Sequence, residues 1–372
     1  MKKSPIYVTK PDLPPLEEFL PYLEKIWDTR VLTNAGPFHF ELEKKLCEYL
    51  GVKYISLFSN GTLALLTALQ ALDIRGEVIT TPYSFVATTH ALWWNGIKPV
   101  FVDIEPETFT IDPAKIEAAI TPKTTAILPV HVYGNPCKVQ KIEEIARDNS
   151  LKVIYDACHT FGNKINNIPI LNYGDLSVIS FHATKVFNTF EGGAIVCHDV
   201  NTKKHIDELK NFGIINETTV ISPGINAKMN EFQAALGILQ LNYVNDAIRK
   251  RKNIDEAYKK SLKRVPGISI FTDQPGITHN YAYFPVTIDA EIFGSNRDDI
   301  YNELISNNVF PRKYFYPLIS QFPMYKNLES AKPGNLKVAE RVTKEILCLP
   351  IYADLEIADV NFICGIIKKL KK

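Results

Sequence analysis

The sequence predicts an α/β protein, with a large domain over residues 1–240 on a mostly parallel sheet and a smaller α+β domain over 241–372. Three observations predict it. Short apolar runs rich in valine and isoleucine alternate with amphipathic segments from about Gly51 to Val200. After about Gln240 a charged helical stretch ends that alternation. At 372 residues the chain is also too long for one small core and suits a large domain in contact with a lesser one.

Taken in order, strands are expected at 77–81, 99–104, 125–132, 151–157, 177–181 and 193–197. Helical patterns lie at 63–72, 113–120 and 138–149. Parallel strands covered on both faces read as nearly continuous apolar runs, and these do. In such sheets ligands bind beyond the carboxyl ends of the strands, so residues there deserve the closest reading. Beyond Gln240 the pattern predicts a helix over 249–263, strands over 268–272 and 281–288, and helices over 297–307, 337–346 and 356–371. The closing Lys368-Lys369-Leu370-Lys371-Lys372 reads as a last helical turn, where cations are favoured, plus a frayed terminus.

Composition excludes several classes. With 42 basic and 41 acidic side chains the net charge is +1, which leaves no footprint for nucleic acid. Any anionic ligand must be met by a local cluster of donors. The opening Met1-Lys2-Lys3 leads into a Pro-rich stretch without an apolar run, so no secretory signal is expected. No apolar run approaches membrane-spanning length. The six cysteines (47, 137, 158, 197, 348 and 364) form no CxxC pair. They read as reduced thiols of a cytoplasmic protein, with no metal site and no disulfide frame.

Three short segments carry chemistry when read together. Ser59-Asn60-Gly61-Thr62 opens a helix, where free peptide N–H groups and a hydroxyl can hold a phosphate. Alone, it reads first as an ordinary helix cap. Asp156 ends the apolar run Val153-Ile154-Tyr155, with His159 three residues on. A carboxylate there can keep a cationic ring nitrogen protonated, although alone it reads as an N-cap Asp beside a surface histidine. Lys185 follows a strand in Ser180-Phe181-His182-Ala183-Thr184-Lys185, ahead of Glu191-Gly192-Gly193. A partly desolvated lysine loses its charge readily and attacks carbonyl carbon, and the paired glycines permit a close backbone approach. A lone lysine is usually a solvated surface residue. In combination the three supply a phosphate cradle, an acid for a ring nitrogen and an amine for an aldehyde. Pyridoxal 5'-phosphate (PLP) requires all three.

The segments FSNGTLALLTALQAL, TTPYSFVATTHA, VFVDI, PVHVYG, VIYDACHTFG, SFHATKVFNTFEGGAIV and KMNEFQAALG resemble the DegT/DnrJ/EryC1/StrS sugar aminotransferases, in order and spacing, from about Thr33 to Pro317. The resemblance implies a fold-type I, aspartate-aminotransferase-like architecture and a homodimer with shared active sites. It makes Lys185 the Schiff-base lysine for PLP, Asp156 the pyridinium partner and His159 a neighbour of the phenolic oxygen. Gly61, Thr62 and Ser180 match phosphate-binding positions, and Phe85 the aromatic over the ring. Asn230 matches a residue that serves the neighbouring subunit's cofactor. Thr33, Asn34, Gly36, His182, Arg312, Tyr314 and Phe315 resemble the sugar side.

The implied reaction moves an amino group from L-glutamate to a nucleotide-linked keto-6-deoxyhexose in surface-polysaccharide biosynthesis. Thr184-Lys185 and Glu191-Gly192-Gly193 resemble members that aminate C4, which suggests dTDP-4-keto-6-deoxyglucose as acceptor. Amination at C3 of a 3-keto isomer is the alternative, and its enzymes more often carry P-G-K and G-D-G-G. A PLP-dependent sugar dehydratase shares the fold but carries histidine in place of the Schiff-base lysine. A non-catalytic regulator would need none of the three elements together. The chain departs from the family pattern at Lys228, where arginine is more usual, and at Phe190, often glycine or small. It also has Ile319-Ser320, without the histidine of many relatives.

Overall fold

The computed structural model describes residues 4–372. The charged opening Met1-Lys2-Lys3, part of the stretch read above as lacking a signal, lies outside them. The large sheet has seven strands: β1 (Tyr54–Phe58), β2 (Glu77–Thr80), β3 (Lys98–Phe101), β4 (Thr124–Leu128), β5 (Lys152–Asp156), β6 (Leu176–Ser180) and β7 (Gly193–Cys197). Their order across the sheet is β1-β7-β6-β5-β4-β2-β3, and of these β7 alone runs against the others. Six of the seven were expected from the sequence; β1 was not among them.

Successive strand residues point to opposite faces, so each strand feeds two cores. Ile127, Val153, Tyr155 and Ile179 enter one, under the helices α1 (Leu16–Thr29), α2 (Pro37–Leu50), α5 (Val139–Asp148) and α7 (Glu231–Gln240). Ala126, Leu128, Ile154 and Val178 enter the other, under α3 (Gly61–Ala71), α4 (Ala87–Trp94) and α6 (Val200–Leu209). Each fully buried Leu, Ile or Val contributes about 1.5–3 kcal/mol relative to exposure, and together they hold the strand ends in one plane.

A further core forms on α8 (Val244–Leu262) and an antiparallel sheet of β8 (Ile268–Ile270), β9 (Phe284–Ile288) and β10 (Ile346–Leu349), with β9 in the middle. Ile6, from the start of the chain, also packs there. Two polar side chains tie this part to the first. Asp103, just beyond β3, accepts the Val338 and Ala339 N–H groups at 2.9 Å each and so caps the helix Lys337–Glu345. Buried Asn280 donates to the carbonyls of His159 (3.0 Å) and Phe161 (3.1 Å).

Several expectations need correction. Segment 113–120 is two 3₁₀ turns, Pro113–Lys115 and Glu117–Ala119, not an α-helix. Pro122 pushes the chain before it to extended geometry, and so short a stretch does not sustain α-helical nucleation. The expected helix over 337–346 stops at Glu345, because Ile346 begins the fully buried β10. The C-terminus is tied down rather than frayed: Lys371 Nζ donates to Ile292 O at 2.8 Å, and the Lys372 N–H to Phe293 O at 3.2 Å. Among the described residues no helix is long and apolar enough to cross a membrane. All six cysteines are free thiols.

Candidate active site

A cavity of about 250 Å³ opens at the carboxyl ends of β5 and β6. The site residues expected there from the sequence are Gly61, Thr62, Phe85, Asp156, His159, Ser180, His182, Lys185, Tyr314 and Phe315, and all ten line it. Thr33, Asn34, Gly36, Asn230 and Arg312 do not. Asn230 instead caps α7, its side chain accepting the Gln233 N–H at 2.9 Å. Thr33 and Asn34 are exposed on the loop before α2, and Arg312 is exposed beside β10.

At one end of the cavity, Gly61 and Thr62 begin α3 behind the cap Asn60, whose side chain accepts the Leu63 N–H at 2.9 Å. Their own N–H groups have no acceptor within the helix and carry its positive end. The helix start is pressed hard against the sheet. A Cβ on Gly61 would stand 3.0 Å from Ser180 Cβ, and one on Gly193 would stand 2.7 Å from the Gly61 nitrogen. The glycine pair after Glu191 therefore provides the close approach expected of it. Phe190 before it adopts φ 63°, in the left-handed region. That conformation explains why glycine suits the position; here a phenylalanine bears the strain and packs edge-on against Phe19 at 6.3 Å.

At the cavity floor the Asp156 carboxylate is held from two sides. Thr88 Oγ1 donates to Oδ2 at 2.7 Å, and the Cys158 N–H to Oδ1 at 3.2 Å. Thr88 is in turn 2.8 Å from Ser84 Oγ. Asp156 is 6% exposed, and these two donors fix its plane while leaving acceptor capacity toward the cavity.

Lys185 Nζ donates to Tyr283 Oη at 3.3 Å. The sequence reading expects desolvation to strip charge from this lysine. Burial does act in that direction, but Tyr283 foremost, then Cys158 and Asp156, outweigh it, and the amine is held above the ordinary lysine range. His159 moves the other way: burial, then the charge of Lys185, push it well below the usual histidine range, so its imidazole is neutral. At the mouth, His182 Nδ1 lies 2.8 Å from Thr184 Oγ1, and its Nε2 3.5 Å from a Glu191 carboxylate oxygen.

Sequence reasoning missed Thr88, Tyr283, Asn280 and Glu231. Thr88 lies inside a motif already singled out, TTPYSFVATTHA. Glu231 accepts the N–H groups of Phe38 and His39 at 2.9 Å each, while its own N–H donates to Leu32 O at 2.9 Å. It thus clamps both ends of the loop bearing Thr33, Asn34 and Gly36. Lys228, the departure from arginine, donates to Asn211 Oδ1 at 2.7 Å and lies over the Phe212 ring.

This fold and end-of-sheet site belong to the fold-type I, aspartate-aminotransferase-like class. The chain is a member of the DegT/DnrJ/EryC1/StrS aminotransferase family, whose model matches residues 16–368. It is 53% identical over 369 residues to a dTDP-4-amino-4,6-dideoxy-D-glucose transaminase of Shigella dysenteriae, covering 99% of this chain and 100% of that protein. A protein of the same name from Escherichia coli is 55% identical over 358 residues, covering 95% and 96%. The crystal structure of DesI in the presence of its TDP-sugar product superposes with a TM-score of 0.94 at 32% identity, covering 99% of this chain and 93% of that one.

Proposed function

We propose that this chain is a cytoplasmic, PLP-dependent transaminase that carries the amino group of L-glutamate to C4 of dTDP-4-keto-6-deoxyglucose. The observation that carries the reading is one cavity joining the Lys185 amine, the two-point-held Asp156 carboxylate and the Gly61-Thr62 helix start. The likeness in sequence to the two transaminases, over nearly their whole lengths, supports the acceptor.

The residues present fit PLP. The N–H groups of Gly61 and Thr62 with the Ser180 hydroxyl suit a phosphate, and the missing Cβ of Gly61 leaves the helix start close to Ser180. Asp156 suits a ring N–H, and Phe85, 59% exposed, offers a face to a planar ring. When bound, the cofactor supplies an electron sink that acidifies the α-proton of the donor. Lys185 then serves as general base at that carbon, and its amine must shed the proton that Tyr283 favours. His159, neutral, contributes a fixed hydrogen-bond donor rather than a charge.

The active unit is a homodimer. Trp27, Leu32, Phe40, Val220 and Ile221 are all more than half exposed in the single chain, at 67%, 52%, 61%, 65% and 54%, and such apolar surface suits cover by a second copy. Asn230, outside its own cavity, then serves the neighbouring one. Mixing inactive Lys185→Ala and Asn230→Ala chains is expected to restore part of the activity through hybrid sites. A fully active monomer in sedimentation under assay conditions rules the shared site out.

The acceptor is tested by supplying dTDP-4-keto-6-deoxyglucose and its 3-keto isomer at equal concentration, with the amino sugar identified by mass and NMR. The 4-keto sugar is expected to be preferred at least about tenfold, a difference of about 1.4 kcal/mol in barrier. Preference for the 3-keto sugar overturns the acceptor and leaves the transaminase reading standing.

A further inference from the structure

We propose that Tyr283 is a positioning residue for Lys185, its hydroxyl oxygen, aimed by His159, holding the lysine amine at the sheet end. The inference rests on the reading of Lys185 as the cofactor lysine.

The hydrogen-bond directions are forced. The peptide N–H of Tyr133 donates to His159 Nδ1 at 3.1 Å, and a peptide N–H cannot act as an acceptor. A neutral imidazole whose Nδ1 accepts carries its proton on Nε2. That nitrogen lies 3.2 Å from Tyr283 Oη, so histidine is the donor and tyrosine the acceptor. Lys185 Nζ donates to the same oxygen at 3.3 Å. With two donors arriving, both acceptor sites of Tyr283 are used, and its own O–H is turned away from the lysine. Tyr283 therefore faces the amine as an acceptor only. The ring reinforces the contact, its centroid 5.8 Å from Nζ.

The arrangement is pinned from outside the contact. Asn280, 2% exposed, donates to the carbonyls of His159 and Phe161 and accepts the Ala282 N–H at 3.1 Å. Arg251 Nη1 reaches the carbonyls of Ala282 at 3.5 Å and Ile351 at 3.1 Å. The segment bearing Tyr283 thus keeps a fixed register against the loop bearing His159. The other ionisable groups facing the amine are Asp156 and Cys158 on that loop and Tyr314 on the loop before Pro317. The Asp156 carboxylate takes its hydrogen bonds from Thr88 and the Cys158 N–H, and the amine's own hydrogen bond goes to Tyr283.

Tyr283→Phe keeps the ring and removes the acceptor. In the full-length, cofactor-free chain, reductive methylation of Lys185 is followed by mass spectrometry of its peptide across pH. Tyr283→Phe is expected to move the lysine's half-reaction pH down by about one unit, so that labelling below it runs about tenfold faster. His159→Asn removes the Nε2–H donor and is expected to shift the profile the same way. The double variant is expected to match Tyr283→Phe alone, because the histidine acts through the tyrosine. A Tyr283→Phe profile that coincides with wild type, or shifts that add in the double variant, overturns the assignment. The underlying reading is checked separately, by borohydride reduction of the PLP-loaded wild type and mapping of the pyridoxyl mass. A label on another lysine removes the reading itself, whereas a label on Lys185 with unmoved profiles removes the role of Tyr283 alone.

Discussion

Lys185→Ala is expected to abolish turnover, by on the order of 10⁴-fold or more, while the protein stays folded and still takes up cofactor. Alanine removes the amine that captures the aldehyde and the base that moves the donor proton, and general base catalysis alone is worth roughly 10²–10⁴. The Gly61-Thr62 helix start, Ser180, Asp156 and Phe85 are untouched, so non-covalent binding of PLP survives. Three measurements check it: release of 2-oxoglutarate from glutamate, cofactor absorbance retained after dialysis, and the unfolding midpoint. Turnover within tenfold of wild type in a loaded, folded variant shows that another lysine does the work.

Asp156→Asn is expected to slow both half-reactions by roughly a hundredfold or more, equivalent to about 2.7 kcal/mol or more in barrier. An uncharged amide cannot hold a proton on a ring nitrogen, so the electron sink weakens whichever substrate is bound. The fold has little reason to fail. An asparagine oxygen still accepts either the Thr88 hydroxyl or the Cys158 N–H, and Thr88 has a second acceptor in Phe85 O at 3.1 Å. The stability cost is therefore about one net hydrogen bond, ~1 kcal/mol. Single-turnover rates with glutamate and with the amino sugar, measured apart, make the test. Slowing of one half-reaction with the other unchanged contradicts a role exerted through the ring.

The sequence made the large sheet legible because its strands are buried on both faces and leave unbroken apolar runs. The antiparallel direction of β7 was not legible, since β7 reads like its parallel neighbours and its reversal is set by the turn through Glu191-Gly192-Gly193. Segment 113–120 misled because its amphipathic pattern resembles a helix, while Asp112 and Pro122 confine it to tight turns. In the site, Asp156 and Lys185 were legible because one ends its strand and the other lies in the loop just after its strand. Tyr283 was not: it lies 98 residues from the lysine it touches and 124 from the histidine. Glu231 stood beside a residue already chosen, yet its partners are 192 and 193 positions away. Local pattern carries the elements and their ends, whereas pairings between distant polar groups leave no periodic trace.

The position of β9 between β8 and β10 governs when the enzyme can be completed during its synthesis. Tyr283 immediately precedes β9, and β9 gains its second neighbour only when Ile346–Leu349 has been made, near the end of a 372-residue chain. The cradle, Asp156 and Lys185 are all encoded within the first half of the chain and can gather earlier. The oxygen partner proposed for the lysine comes later, at Tyr283. A chain truncated before Ile346 would carry every motif quoted for the family and still leave β9, and with it the proposed partner of the amine, without its second neighbour.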